Sequence, residues 1–180
     1  MENISNKTLS LVYCGACVAL ITICSWISIP MTIPFTLQTF AVCLATALLG
    51  TKRGTVTVLV YILLGLVGVP VFSGFKGGVS VLLGPTGGYI VGFIFTAIVV
   101  GLITDKINKS VPVLALAMIL GIFVCYLFGT FWFVNVYTKT KEPVSIATAL
   151  SWCVFPYLIP DACKIALAVF LEKRLEHVIL

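Results

Sequence analysis

The sequence predicts an all-α membrane protein with six transmembrane helices and both termini in the cytoplasm. Three observations carry this. First, 61% of the 180 residues are hydrophobic and only 9% are charged, whereas soluble domains are about a quarter charged. The mean hydropathy is +1.20, and a chain of this length has no aqueous fold large enough to hide so much apolar surface. Second, the apolar residues fall into six runs separated by short breaks of Gly, Pro and charge. Third, Lys and Arg are divided unequally between alternate breaks. The six spans and their connections use up the length, so residues 1–180 are expected to form one transmembrane domain.

The first run, about Leu9 to Ile29, is stopped by Pro30. It follows the short segment MENISNK and shows no small-x-small cleavage site, so it reads as a retained helix rather than a removed signal peptide. The second run, Phe35 to Leu49, ends at Gly50 and Lys52-Arg53, and the third, Thr55 to Val69, ends at Pro70. Both are short, since about 15 residues rise only ~22 Å of a ~30 Å hydrocarbon core. Short or interrupted spans often mark a transporter's binding site; the alternative is that flanking residues extend both helices. A Gly-rich loop, SGFKGG, follows. The fourth run begins around GPTGGY and ends near Thr104, the fifth covers Val111 to Tyr137, and the sixth covers Ser145 to Leu171.

With the N-terminus inside, the inner segments hold Lys7, Lys52, Arg53, Lys106, Lys109, Lys173 and Arg174, and the outer loops hold only Lys76, Lys139 and Lys141. This positive-inside bias supports cytoplasmic termini. Trp26, Trp132 and Trp152 then fall near the outer ends of the first, fifth and sixth helices. They fit an interfacial aromatic belt, or the wall of an outward-facing pocket.

Several function classes are excluded. The net charge of +5 lies in loop residues flanking apolar runs, the pattern of topology signals and not of a nucleic-acid groove. All seven cysteines fall in apolar runs. Cys14-x-x-Cys17 has no His or second Cys pair beside it, so it reads as packing and no metal site is expected. No HExxH or GxSxG occurs, and the sole histidine is His177, so neither an enzyme nor a resident cofactor is expected. The Gly-rich loop lacks the Lys-Ser or Lys-Thr pair of a phosphate loop, so this chain has no means of hydrolysing ATP by itself. The loop fits a re-entrant lid better than a plain connection, because glycine allows positive φ and close backbone approach.

The sixth run breaks the charge pattern. LIPDACKIAL places Asp161 and Lys164 inside a span, at an insertion cost of about 2.5–3.5 kcal/mol each. Three residues turn a helix by about 300°, which puts both side chains on one face. Two readings are open: a salt bridge that fixes packing, or a polar ligand held between the charges. Pro156 and Pro160 lack N–H groups, so the carbonyls of Trp152 and Pro156 lose their helical donors. Free carbonyls within a membrane are tolerated beside a cavity.

IPFTLQTFAV at 33–42, GLVGVPVFSG at 65–74, GPTGGYIVGF at 84–93 and PYLIPDACKIALA at 156–168 together resemble the BioY family, over nearly the whole chain and in order. GPTGGY is the most specific piece. Pro160 stands where the family usually has Gly, with the Asp-x-x-Lys spacing intact. The resemblance implies the S-component fold of energy-coupling factor (ECF) transporters in a bacterial plasma membrane, and capture of biotin at the outer face. The implied partners are a transmembrane coupling subunit and two ATP-binding subunits, with lipid around the helices. It also implies docking through small residues on the first helix, here Gly15-x-x-x-Ala19 with Ala16 beside it, whose alternative is packing within the chain. Biotin's ureido ring has two N–H donors and a carbonyl, and its tail ends in a carboxylate. Asp161 suits the N–H groups, and Lys164 suits the carbonyl or the carboxylate. Gln38 offers a further bond, and Phe72, Tyr89, Trp132 and Trp152 offer apolar faces. The competing readings are a stand-alone proton-coupled secondary transporter with Asp161 as proton carrier, and an intramembrane enzyme. One intramembrane acid speaks against the former and the missing motifs against the latter.

Overall fold

The computed structural model describes residues 2–31 and 33–179, with side chains described over 7–31 and 33–176; the His177 side chain lies outside the described residues. The helices are α1 Glu2–Trp26, α2 Gln38–Leu66, α3 Val79–Leu83, α4 Gly87–Lys106, α5 Val111–Thr140, α6 Ile146–Cys153 and α7 Leu158–Ile179. A two-stranded antiparallel ribbon, β1 Ser28–Ile29 with β2 Phe35–Thr36, joins α1 to α2. Among the described residues, five helical segments are long and apolar enough to cross a membrane. They carry apolar side chains outward as well as inward: Leu11, Val67, Phe131 and Ile159 are each more than 70% exposed. Helices apolar all round belong in lipid, and the chain is a multi-pass membrane protein.

The second and third apolar runs are a single assigned helix, folded back on itself at Gly50, whose φ of 75° and ψ of 178° break the helical path. Gln38 Nε2 donates to the Tyr61 hydroxyl, and a Cβ on Gly54 would lie 2.8 Å from Thr46 Cα. Those contacts require two antiparallel legs. Legs 38–49 and 51–66 rise only about 18 and 24 Å. Residues 51–54 join the second leg as helix, but the ribbon precedes Gln38 and a turn follows Leu66, so neither leg becomes longer than about 16 residues. One glycine makes the bend because its left-handed φ is open to residues without a Cβ. Asp105 at the end of α4 completes it, accepting from Thr51 N at 2.8 Å and Thr51 Oγ1 at 2.7 Å and so capping the second leg.

The central packing is α2 against α4 and α4 against α5. Small residues permit it, as expected where lipid gives no hydrophobic drive. A Cβ on Gly92 would lie 2.9 Å from Cys125 Sγ, and one on Gly129 would lie 2.3 Å from the Tyr89 ring. Tyr61, Leu114, Met118 and Phe133 are fully buried in this core.

The sixth run is not one helix. α6 stops at Cys153, a 3-10 turn covers Phe155–Tyr157, and α7 starts at Leu158. Pro156 sits in the turn, and Pro160 sits in the first turn of α7, where a missing N–H leaves no bond unmade. The Tyr157 hydroxyl donates to the Ile33 carbonyl, tying the break to the ribbon segment. The bundle therefore has one end with irregular backbone (ribbon, Gly-rich loop and proline break) and an opposite end of tight turns at Gly50 and 107–110.

Candidate binding site

A cavity of about 270 Å³ opens among the irregular segments. Its lining brings together Gln38, Phe72, Tyr89, Asp161 and Lys164 from the ribbon-proximal leg of α2, the Gly-rich loop, α4 and α7. Asp161 and Lys164 are 4% and 5% exposed. Lys164 Nζ lies 2.7 Å from Asp161 Oδ1, so the two charges do neutralise each other. They also face the cavity, so the salt-bridge reading does not remove them from the site.

The pair is held by residues that carry no sequence signal. Thr39 Oγ1 donates to Asp161 Oδ1 at 3.3 Å and accepts from Lys164 Nζ at 3.2 Å. The Tyr126 hydroxyl on α5 donates to Asp161 Oδ2. Lys164 Nζ stands 4.2 Å from the centre of the Phe35 ring, within cation–π range. A carboxylate has about four acceptor sites, and three donors occupy Asp161. It keeps room for another donor from the cavity. Hydroxyls scattered through apolar helices look like packing until the fold shows where they converge: Thr39 and Asp161 are 122 residues apart in sequence.

The other lining groups are also fixed in place. Gln38 bonds Tyr61, whose hydroxyl donates to the Val71 carbonyl at 2.9 Å. Ser25 Oγ donates to that same carbonyl at 2.5 Å. Phe72 is 1% exposed, and its ring fills the space a Cβ on Gly65 would need. The Tyr89 hydroxyl and Thr130 Oγ1 are 3.0 Å apart. Phe72, Ser73, Lys76 and Thr86 of the Gly-rich segment, with Val81 of the short α3 inside it, line one side of the cavity.

Trp132 and Trp152 are not brought to the cavity. Trp132 Nε1 donates to the Gly84 carbonyl at 3.0 Å, and its Cβ fills the space a side chain on Gly88 would need. Its indole tip seeks a loop acceptor, so it braces GPTGGY from behind. Trp152 packs edge-on against Tyr137 at 6.1 Å and is 40% exposed. Trp26 likewise bonds the Pro70 carbonyl at 2.8 Å and stacks on Phe75. Gly15, Ala16 and Ala19 are exposed on α1, and a Cβ on Gly15 would meet nothing within 4 Å. That face does not pack within the chain.

A further acid lies inside the sixth segment. Glu172 on α7 is 0% exposed, and neither of its carboxylate oxygens has a hydrogen-bond partner. Lys109 and Lys173 each approach it at 3.8 Å. Glu172 thus adds a second buried acid to the last segment, at its inner end. The apolar run ends at Leu171, whereas α7 continues and packs Leu175 against the core.

The BioY family model matches residues 1–179. The chain is 41% identical to the biotin transporter BioY of Thermotoga maritima, over 92% of this chain and 95% of that protein. It is 38% identical to the probable biotin transporter BioY of Pyrococcus horikoshii, over 88% and 91%. The crystal structure at 2.1 Å of the S-component for biotin from an ECF-type ABC transporter matches with a TM-score of 0.85 and 29% identity, covering 96% of this chain and 93% of that one. Sequence likeness from end to end and a shared helical architecture agree with the motifs around the cavity. The chain belongs to the BioY family, whose named members are transporters and not enzymes.

Proposed function

We propose that this chain captures biotin in the cavity lined by Asp161 and Lys164 and serves as the S component of an ECF-type transporter. The observation that carries the reading is a buried, hydrogen-bonded ion pair in the wall of a small cavity. A site of about 270 Å³ is near the lower end of the ~300–1,000 Å³ range for small-molecule pockets, and it suits a compact bicyclic ligand. Asp161 accepts from the ureido N–H groups, and Gln38 and Lys164 offer donors to the ureido carbonyl. Phe72 and Tyr89 supply apolar surface. Relatives named biotin transporters support the ligand, and a structural neighbour described as a biotin S-component supports the transporter class.

Residues 1–180 act in this reading as one transmembrane substrate-binding domain. The folded α2 counts as two crossings, which gives six and places both termini at the same end. The basic residues Lys7, Lys52, Arg53, Lys106, Lys109, Lys173 and Arg174 make that end cytoplasmic. The cavity then faces outward. Energy comes from a transmembrane coupling subunit and two ATP-binding subunits, docked on the small face at Gly15, Ala16 and Ala19. No resident cofactor takes part.

Glu172 favours a second reading. A buried acid at the inner end, with Asp161 nearer the outer end, is the outline of a proton path through a stand-alone transporter. Against it, two lysines at 3.8 Å already balance Glu172. Calorimetric titration of the purified chain with biotin tests the ligand. Uptake by liposomes holding this chain alone, with and without a pH gradient, tests the energy source. Binding without gradient-driven accumulation is expected; accumulation by the chain alone establishes the second reading.

A further inference from the structure

We infer that the irregular end is seated unevenly in the membrane: an apolar collar of Ile27, Ile29, Val67 and Phe75 rests in the lipid interface, while the connection from α5 to α6 stands in water. Each of the four side chains is more than half exposed. Trp26 gathers them into one surface. It stacks on Phe75 with ring centroids 4.9 Å apart, and its Nε1 donates to the Pro70 carbonyl at 2.8 Å, which brings the segment after α2 beside the end of α1. The indole's one donor is used inside the protein, so the face it shares with Phe75 is apolar. Charge follows the same division. No residue from Thr8 to Thr51 is charged, and Lys76 is the one charged residue from Gly54 to Thr104. The connection after α5 instead carries Lys139, Lys141 and Glu142.

Helix length and backbone chemistry set the depth. The legs of α2 rise only about 18 and 24 Å of a ~30 Å core. With the Gly50 turn at the opposite surface, the segments that continue from them start at hydrocarbon depth. Leu37 N donates to the Cys24 carbonyl at 3.2 Å, which sets the base of the ribbon level with the last turn of α1 and not above it. Dry hydrocarbon is excluded too. A two-stranded ribbon has edges without a strand partner, and open sheet edges do not face lipid tails. Side chains that avoid water and edges that avoid hydrocarbon meet their needs together at the boundary of headgroup and acyl chain.

The turn at Phe75 points the same way. Phe72 is buried in the cavity wall, and Phe75, three residues on, is 64% exposed. Phe75 has a φ of 58°, which is costly for a bulky residue. Stacking on Trp26 covers one face of its ring, and lipid against the rest offsets the strain in a way that water does not. The lipid therefore backs the turn whose other side lines the cavity.

Reporter tryptophans read the depth. In a background of Trp26→Phe, Trp132→Phe and Trp152→Phe, Ile29→Trp and Lys141→Trp are compared in vesicles of phosphatidylcholine brominated near the headgroup end of its acyl chains. The Ile29→Trp emission should fall about twofold, as suits an indole ~5–10 Å into the boundary, and resist aqueous iodide. Lys141→Trp should show the opposite. Quenching of Ile29→Trp by iodide alone overturns the collar, and shielding from both quenchers overturns it in favour of a protein contact. Equal bromolipid quenching at both positions overturns the uneven seating. Where the background does not fold, the wild-type sequence labelled with fluorotryptophan serves: dissolved oxygen should broaden the Trp26 resonance more than a water-soluble nickel chelate does, and the reverse order refutes the collar.

Discussion

Asp161 and Lys164 form a buried pair and, in the proposed function, also hold the ligand, and two measurements separate these roles. As a pair they are buried at 4% and 5% exposure and joined at 2.7 Å. Breaking such a pair from one side leaves the other charge uncompensated, at about 3–5 kcal/mol. Asp161→Asn leaves the Lys164 ammonium with no counter-charge, facing a neutral amide oxygen, the Thr39 hydroxyl and the Phe35 ring. Lys164→Met leaves Asp161 with the Thr39 and Tyr126 hydroxyls, which solvate an anion better than that ring and hydroxyl solvate an ammonium. Asp161→Asn should therefore be the more destabilising single change. The double variant removes both charges, so its stability should exceed that of Asp161→Asn. Thermal unfolding of the purified variants in detergent reads this directly.

Binding should follow another pattern. Each charged group lost from the ligand's contacts costs about 1.5–3 kcal/mol, the scale of charge-assisted hydrogen bonds. No second substitution restores a missing acceptor or donor. Calorimetric affinities for biotin should fall in both singles, and the double should bind no better than the worse single. A double variant that is folded and binds biotin near the wild-type affinity refutes the reasoning. The pair would then be purely structural, and the ligand would lie against other walls of the cavity.

Other consequences are direct. Ser73→Cys should be labelled by an impermeant thiol reagent from outside the cell, above the wild-type background, and Lys52→Cys should not; the reverse pattern inverts the proposed orientation. Gly15→Leu and Ala19→Leu should abolish uptake in the assembled transporter and leave biotin affinity within about twofold, since the face packs against nothing in this chain; a parallel loss of affinity rules out docking there. Gly65→Ala should cost about 1–3 kcal/mol of stability and weaken biotin binding, because its Cβ would lie 2.0 Å from the Phe72 ring. Unchanged thermal unfolding would show that Phe72 moves freely and is not a fixed wall.

Much of the fold was legible because membrane helices announce themselves by composition. The apolar runs, the Lys/Arg bias and the two charges in the last run needed only counting and helix geometry. The bend at Gly50 was harder: the sequence reads as a loop from Gly50 to Gly54, and a single left-handed residue does the work. Thr39 and Tyr126 were invisible for a different reason. A hydroxyl in an apolar helix can bond its own backbone, as Thr46 does to the Val42 carbonyl at 2.9 Å, or a partner on another helix, and spacing does not distinguish the two. For Trp132 and Trp152 the sequence offers residue type alone. Type predicts that an indole N–H finds an acceptor, not which one: for Trp132 it is a loop carbonyl behind the cavity.

The division of labour between helices gives the proposed mechanism its sharpest form. No residue of α1 lines the cavity among the described residues. Its contribution to the site is indirect: Ser25 and Trp26 hold the carbonyls of Val71 and Pro70, and Leu37 N donates to the Cys24 carbonyl at 3.2 Å. Those contacts gather in the last turn of α1. Its middle, at Gly15 to Ala19, is left open to lipid or to another helix. In the proposed function, capture of the ligand and docking of a partner use different parts of the chain, joined through the end of α1 that braces the Gly-rich loop. A partner that tilts α1 would pull on Val71 and Pro70, and through them on Phe72 and Lys76. Ser25→Ala removes one such tether, an interaction worth about 1 kcal/mol in typical cases, without touching the cavity wall. It should speed biotin release, read by stopped-flow exchange, while Gly15→Leu leaves release by the isolated chain unchanged. Identical release rates in wild type and Ser25→Ala would show that α1 is no part of the loop's restraint.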